Sequence, residues 1–182
     1  MSDLDVRLRC HPAAPSPGWL TVEAQVARRS DDRARLRYRL TGDLKRVLTP
    51  PARPPRRVDD LWRHTCCEAF LRVEGRPEYW ELNLSPSTAW ALWRFESYRA
   101  GASVPRVGRP PAIEVRRAPD VLELQAELEL PTPVAVARRA DVRLGLAVVV
   151  EEVQGELSYW APAHPCDRPD FHHPDTMRLP LR

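Results

Sequence analysis

What this chain lacks excludes several classes of protein before any motif is considered. Its 182 residues contain no apolar run approaching 18 residues, so the sequence predicts no membrane-spanning helix. The first residues contain no apolar stretch of the signal-peptide type, and we therefore expect a soluble, cytoplasmic protein with reduced cysteines. Lysine occurs once, at Lys45, and the arginines that supply the remaining positive charge are scattered among acids. A net charge of +3 without a basic stripe argues against nucleic-acid binding.

Glycine is also scarce, at 7 residues, whereas proline reaches 20. Proline interrupts helices and stiffens connections, so this balance predicts few long helices. Apolar and polar residues instead alternate with a period of two, most clearly from Val121 to Leu130. About ten such strands with little helix predict an all-β fold: a single antiparallel β-sandwich domain of jelly-roll or immunoglobulin-like type over residues 1–182.

Several further elements are expected from the pattern. A run apolar on both faces from Val142 to Val153 predicts a central strand buried on both sides. Residues 87–99 fit either a strand or a helical face, and a strand is favoured because the neighbouring segments are strands. The other expectations are a helical turn within Pro131 to Arg139, loops over Gly101 to Ala112 and Thr49 to Arg57, and a mostly irregular tail with a last short strand near Arg178 to Leu181.

The stretch from Asp60 to Arg99 holds four of the six tryptophans and an adjacent cysteine pair. Its two central strands each separate into an apolar and a polar face. A hairpin between them would join Glu68, Tyr79, Glu81 and Asn83 into one polar, aromatic surface and bury the opposite face in the core. This surface is where we predict the function to lie.

Three motifs in this order resemble bacterial DOMON-like domains related to type 9 carbohydrate-binding modules: LWRHTCCEAFL, YWELNLSPSTAWALWRFESYR and RPDFHHPDTMRLPL. In some bacteria such domains occur alongside the cell-wall enzyme MurB. The resemblance covers residues 58–181 and implies a β-sandwich with a ligand site on one sheet. In relatives the ligand is a sugar or, in other DOMON branches, a haem. Fold analogy alone does not establish function.

Sugar binding requires aromatic planes for C–H faces and polar groups for hydroxyls. The resemblance places six residues in motif positions: Glu68, Glu81, Asn83, Trp90, Arg94 and Arg99. The full candidate ligand-binding set is Trp62, Glu68, Tyr79, Glu81, Asn83, Trp90, Arg94, Arg99, Trp160 and His172. In the competing interpretation the tryptophans fill the core, and Glu68, Glu81 and Arg94 form a salt-bridged network. We favour a non-catalytic module for a carbohydrate or a sugar-containing cell-wall precursor.

Cofactor-dependent functions remain open, although we expect no cofactor. His64, Cys66 and His172 are possible zinc ligands if the tail folds over the hairpin, but they lack zinc-finger spacing. Haem would need an axial ligand such as a histidine or Met177, and no CxxCH is present. Type 9 modules often carry calcium, but no aspartate-rich loop is evident here.

Catalysis and protein interaction are two further functions that the residue pattern leaves open. Glu68 and Glu81 could form a carboxylate pair, and Cys66 near His172 could act as a nucleophile pair. Neither arrangement is established by spacing alone, so the sequence favours a binding protein over an enzyme. The proline-rich loop from Thr49 to Arg57 is a weak indication of a protein-interaction domain.

Overall fold

The structure is a computed structural model that describes residues 3–14 and 17–181. Within these ranges it contains eleven strands, one short α-helix and four single turns of 3-10 helix. No helix in the described part of the chain is both long and apolar enough to cross a membrane. The strands are β1 (Leu4–Cys10), β2 (Leu20–Arg28), β3 (Arg33–Gly42), β4 (Cys66–Val73), β5 (Tyr79–Leu84), β6 (Trp90–Phe95), β7 (Ala112–Arg117), β8 (Val121–Glu129), β9 (Val142–Glu151), β10 (Leu157–Ala161) and β11 (Leu179–Pro180). The helix α1 is Thr132–Ala135, and the 3-10 turns are Leu44–Arg46, Leu61–Arg63, Arg139–Asp141 and Pro174–Thr176.

The strands pair antiparallel in one continuous sheet of order β6-β5-β4-β9-β10-β1-β2-β3-β8-β7, with β11 added beside β9. Strand β1 belongs to both halves, because Leu4 to Leu8 pair with β2 whereas Arg9 and Cys10 pair with β10. The sheet curls so that its halves face each other: the Tyr38 hydroxyl on β3 donates to the Glu68 carbonyl oxygen on β4 over 2.7 Å. The predicted all-β, sandwich-like fold is confirmed.

The core lies between the two halves and follows the predicted alternation. Cys67, Ala69 and Leu71 of β4 and Trp80 and Leu82 of β5 point into it. The turn after β4 joins β4 and β5 as the predicted hairpin. Strand β9 is buried along almost its whole length, as its doubly apolar sequence predicted. The other face of β4, β5, β6, β9 and β10, turned away from this core, is called the outer face below.

Two ambiguous segments are resolved by the structure, and one strand was not predicted. Residues 90–95 form a strand and not a helix, and α1 lies within the predicted helical segment. Strand β7 was not predicted: Ile113 and Val115 alternate with charged residues, but a short edge strand that is half exposed has a weak pattern.

The irregular tail covers much of the outer face. Phe171 and Met177 form a second apolar cluster there with Phe70 of β4 and Val149 of β9. The tail lies so close to β9 that a Cβ added to Gly145 would come within 3.2 Å of both Met177 and the backbone oxygen of Thr176. A larger residue at this position would require the tail to give way by a few tenths of an ångström, and the crossing of the tail builds one wall of a cavity.

Candidate functional site

A cavity of about 610 Å³ opens on the outer face. Side chains from β4, β5, β6, β9 and β10 form its floor, and residues at 60–62, 99–102 and 168–172 form its walls. This volume is in the range usual for small-molecule sites. The aromatic lining residues are Trp62, Trp93, Phe95, Tyr159 and Phe171, and the ionisable ones are Asp60, Glu68, Glu81, Arg99, Arg168 and His172.

The strand register brings the two glutamates of the floor together. Glu68 on β4 lies opposite Asn83 on β5, and Glu81 lies two residues before that asparagine on the same face. Trp93 on β6 lies opposite Glu81 and therefore shares this face. The carboxyl groups of Glu68 and Glu81 are thus diagonal neighbours across two paired strands.

Glu68 is 3% exposed, and its buried Oε1 has no hydrogen-bond partner among the described residues. Burial raises the pKa of this carboxyl well above its usual value, and the nearby Glu81 raises it further. Both effects favour the protonated acid. The floor of the cavity therefore presents a carboxyl that has an unsatisfied oxygen.

Glu81 is also buried but is better supported. The Asn83 amide nitrogen donates to Glu81 Oε1 over 2.7 Å, and the Cys66 thiol lies 3.6 Å from the Asn83 amide oxygen. Burial raises the pKa of Glu81, whereas the Asn83 hydrogen bond and the charge of Arg99 act in the opposite direction. The asparagine thus orients one carboxyl oxygen and leaves the other directed toward His172, whose Nε2 is 3.7 Å away.

A chain of hydrogen bonds fixes the ring of His172. The Arg99 backbone N–H lies 3.2 Å from the Tyr79 hydroxyl oxygen, and that hydroxyl lies 2.7 Å from His172 Nδ1. The hydroxyl that accepts from Arg99 can donate its own hydrogen to Nδ1; with that direction the ring hydrogen lies on Nε2, which faces Glu81. Burial, and then the charge of Arg99, lower the pKa of His172 to about 4, while Asp170 opposes this shift. The imidazole is neutral at pH 7.

Strained backbone is concentrated at the walls. Only three non-glycine residues in the described ranges have a positive φ; Asp60, at 59°, and Arg99, at 54°, line the cavity, whereas Thr88 does not. Such conformations persist where the surroundings hold them, and they cluster at functional sites. The Arg99 guanidinium pairs with Asp170 over 2.7 Å, and Asp170 also accepts from the His172 N–H, so this turn is tied to the tail.

The structure brings half of the candidate ligand-binding set into the cavity. Trp62, Glu68, Glu81, Arg99 and His172 line it. Of the remainder, Tyr79 and Asn83 lie beneath the lining and hold His172 and Glu81 in place.

Three candidates point elsewhere, which corrects the predicted set. Trp90 and Arg94 pair with residues of β5 that face the core, so both lie on the opposite side of β6 from the cavity. The Arg94 guanidinium binds Glu78 over 2.8 Å, and no salt-bridged network with Glu68 and Glu81 forms. Trp160 on β10 is buried in the core and donates to the Ser158 hydroxyl over 2.9 Å.

Aromatic residues adjacent in sequence to these candidates line the cavity instead. Trp93 and Phe95 on β6, and Tyr159 on β10, line the cavity. The alternation of Trp93 with Phe95 was visible in the sequence, and counting in register from Glu81 would have placed both on its face. Phe171 and Arg168 of the tail had no comparable signal, because an irregular segment has no period.

The possible zinc ligands do not converge. His64 is exposed and pairs with Glu151 over 2.8 Å, whereas the Cys66 thiol points toward Asn83 and His172 is held by Tyr79. In the ranges that the structure describes, no group of three or more His, Cys, Asp or Glu side chains is arranged to hold a metal ion. Burial raises the pKa of the Cys66 thiol well above its usual value, which disfavours the nucleophilic thiolate.

Comparisons with known proteins relate the chain to others through its fold. No known family's sequence model matches it, and no curated protein matches it significantly. It resembles the crystal structure of a candidate carbohydrate-binding protein from Bacteroides uniformis ATCC 8492, with a TM-score of 0.59 and 11% identity over 95% of this chain and 84% of that one. This similarity indicates a shared fold.

Two structures of a family 9 carbohydrate-binding module from Caldicellulosiruptor kristjanssonii, in complex with glucose and with cellotriose, match more weakly. Their TM-scores are 0.44 and 0.46, each at 10% identity over 86% of this chain, and the matches cover 73% and 71% of those chains.

Proposed function

We propose that this chain is a non-catalytic carbohydrate-binding module whose ligand occupies the cavity on the outer face. The observation that carries the proposal is the convergence of aromatic rings and buried carboxyls in one cavity of about 610 Å³. Sugar rings present C–H faces that pack on aromatic planes and hydroxyls that pair with carboxyl and guanidinium groups. The fold shared with a candidate carbohydrate-binding protein supports this assignment.

Trp62 and Trp93 supply the aromatic surfaces in this proposal. Trp62 is 49% exposed and lines the cavity, so part of its ring is available for contact with a ligand. Trp93 extends from the floor beside Glu81. A sugar resting on these rings would direct its hydroxyls toward Glu81 and Arg99. A sugar-containing cell-wall precursor falls within this ligand class.

The polar groups are held in place before a ligand arrives. Asn83 fixes Glu81, Tyr79 fixes His172, and Asp170 fixes Arg99. Pre-organisation of this kind reduces the entropic cost of binding and favours affinity for a small polar ligand.

The proposal predicts that stacking residues of the cavity carry sugar affinity. Titration calorimetry against a panel of neutral mono- and oligosaccharides should identify a ligand of the wild-type protein. Trp62→Ala and Trp93→Ala should then each lower its affinity by about tenfold or more, because a loss of about 1.4 kcal/mol of stacking corresponds to that factor.

Two matched controls separate the cavity from general effects on the fold. The Arg46 guanidinium carbon lies 4.5 Å from the centroid of the Trp19 ring, and Trp19 lies outside the cavity. Trp19→Ala should therefore leave sugar affinity unchanged. Arg94→Ala should likewise leave it unchanged, whereas Arg99→Ala should lower it. Failure of every sugar in the panel to bind, or an equal loss in the Trp19 variant, would contradict the proposal.

A further inference from the structure

Resting on the proposed function, we infer that the cavity selects an amino sugar in its protonated form and seats the ammonium group against Glu68 and Glu81. The inference rests on two buried carboxyls that share one face of the sheet, and on the absence of a described hydrogen-bond partner for Glu68 Oε1. It narrows the ligand from carbohydrates in general to those that carry a cationic amine.

Buried carboxyl oxygens are ordinarily hydrogen-bonded, and buried carboxylates are ordinarily paired with a cation. Glu68 Oε1 has neither among the described groups, although its side chain lines the cavity. A neutral sugar hydroxyl would satisfy the hydrogen bond only. An ammonium group supplies hydrogen-bond donors and a positive charge. It would therefore offset both the cost of leaving Oε1 without a hydrogen bond and the cost of burying a carboxylate.

Within residues 3–14 and 17–181, no side-chain cation is paired with Glu68. Cys66, on the same strand, is a buried thiol, and Glu81 on β5 adds a second acid. The tail contributes His172, whose imidazole is neutral. From the facing half of the sheet, Tyr38 reaches only the Glu68 backbone oxygen. A cation in contact with the unpartnered Glu68 Oε1 would therefore come from the ligand.

The remaining described neighbours add no side-chain cation in contact with Glu68. Strand β9 presents Ala147 opposite Glu68, and Val149 lines the cavity floor. The Arg99 guanidinium is already paired with Asp170. Of the other wall residues, Asp60 pairs with Arg63 over 3.9 Å, and Arg168 is exposed, so solvent screens its charge.

The aromatic lining also favours a cation. The ring faces of tryptophan, tyrosine and phenylalanine attract positive charge, and Trp93 already has the Arg57 guanidinium 4.8 Å from its ring centroid. Phe95, Tyr159 and Phe171 line the same cavity. Proteins recognise organic ammonium groups through carboxylates and through the faces of aromatic rings. This cavity contains both.

Binding an ammonium group should release a proton. Before binding, the surroundings of Glu68 favour its protonated acid; with the ammonium in place, its carboxylate is favoured instead. One proton then passes from Glu68 to the buffer for each ligand bound. Affinity for the amino sugar should therefore rise as the pH increases from about 5.5 to about 7, where the amine remains largely protonated.

The test is titration calorimetry of the full chain with glucosamine, N-acetylglucosamine and glucose, in two buffers of different ionisation enthalpy. Glucose matches glucosamine in size, N-acetylglucosamine carries the same nitrogen as an uncharged amide with an added acetyl group, and only glucosamine carries a charge. We expect glucosamine to bind at least about tenfold more tightly than the other two and to release up to one proton. Glucose and N-acetylglucosamine should release none.

Two variants assign the effect to one carboxyl. Glu68→Gln should abolish the preference for glucosamine and the proton release. The matched control is Glu78→Gln, because Glu78 is paired with Arg94 away from the cavity and its loss should leave both properties intact. The proton release of the wild-type protein provides a readout that does not depend on folding of the Glu68 variant.

The outcomes distinguish this inference from the proposed function. If glucose or N-acetylglucosamine binds as well as glucosamine, or if glucosamine binds without proton release, the inference is overturned while carbohydrate binding stands. If no sugar binds, both are overturned. If Glu68→Gln retains the full preference for the amine, the assignment to Glu68 is wrong.

Discussion

At the scale of single residues, His172 has an unusual environment. Its side chain is 15% exposed, it lies against Phe70 and Phe95, and its Nδ1 is hydrogen-bonded to the Tyr79 hydroxyl. Burial and the charge of Arg99 lower its pKa to about 4, so the folded state resists protonation of the ring. In the unfolded chain the ring has an ordinary pKa near 6.5.

This difference predicts how His172 links stability to pH. Because the folded-state pKa is depressed, the stability linked to neutral His172 is fully present above about pH 6.5 and is lost as the pH falls toward about 4. The shift corresponds to about 3 kcal/mol. Urea unfolding at several pH values should therefore show the wild-type free energy of unfolding falling relative to that of His172→Gln across this window.

Comparison with the variant isolates His172 from the other titrating groups. The raised pKa of Glu68 has the opposite sign, since stability linked to its protonated form is lost as the pH rises. Subtracting the two curves removes that contribution because both proteins contain Glu68. Parallel curves for the wild type and His172→Gln would show that the ring titrates normally in the folded protein.

At the scale of elements, the contact between the tail and β9 shapes the cavity. The Thr176 hydroxyl oxygen lies 2.7 Å from the backbone oxygens of both Phe171 and His173 and shares its single hydrogen between them, which closes the tail into a compact turn. Met177 and Phe171 then pack on the outer face. The tail is therefore an ordered wall, although it contains little regular structure.

Gly145→Ala should loosen this wall. The added Cβ would lie 3.2 Å from Met177 Cγ and from the Thr176 backbone oxygen, so the tail must shift. Overpacking of this kind costs about 1–3 kcal/mol. Hydrogen exchange should show lower protection of the tail amides together with a fall in melting temperature.

Gly18→Ala is the matched control for that experiment. No atom lies within 4 Å of a Cβ added there, so its stability should change little. Unchanged protection of the tail in Gly145→Ala would show that the tail tolerates the extra methyl group without moving from the sheet.

The elements also show how far sequence reasoning reaches. Strands with clear alternation, such as β8 and the β4–β5 hairpin, were predicted because burial of one face imposes a period of two. Trp90 was proposed for the site whereas Trp93 lies beside Glu81, because tryptophans occur on both sides of β6 and residue type alone does not set the register. The position of the tail depends on long-range packing at Gly145, which no local pattern encodes.

At the scale of the whole molecule, the curled sheet makes two halves into one structure. Strand β1 pairs with β2 through Leu8 and with β10 from Arg9 onward, so one strand joins the half that bears the cavity to the other half. Leu8 and residues of both halves share a single core. Neither half can bury its apolar face without the other.

We therefore predict that the chain unfolds as one cooperative unit and that β1 is required for it. Urea unfolding followed by tryptophan fluorescence and by far-ultraviolet circular dichroism should give coincident transitions. Deleting residues 1–10 should abolish the cooperative transition, because it exposes the edges of both β2 and β10 and removes Leu8 from the core.

Deleting only residues 1–3 is the control for this truncation. It removes the ion pairs of Asp3 with Arg29 and Arg35, which are partly exposed and contribute at most about 1 kcal/mol. That variant should keep the single transition. A cooperative transition in the chain that lacks residues 1–10 would instead mean that β2 and β10 hold their halves together without β1.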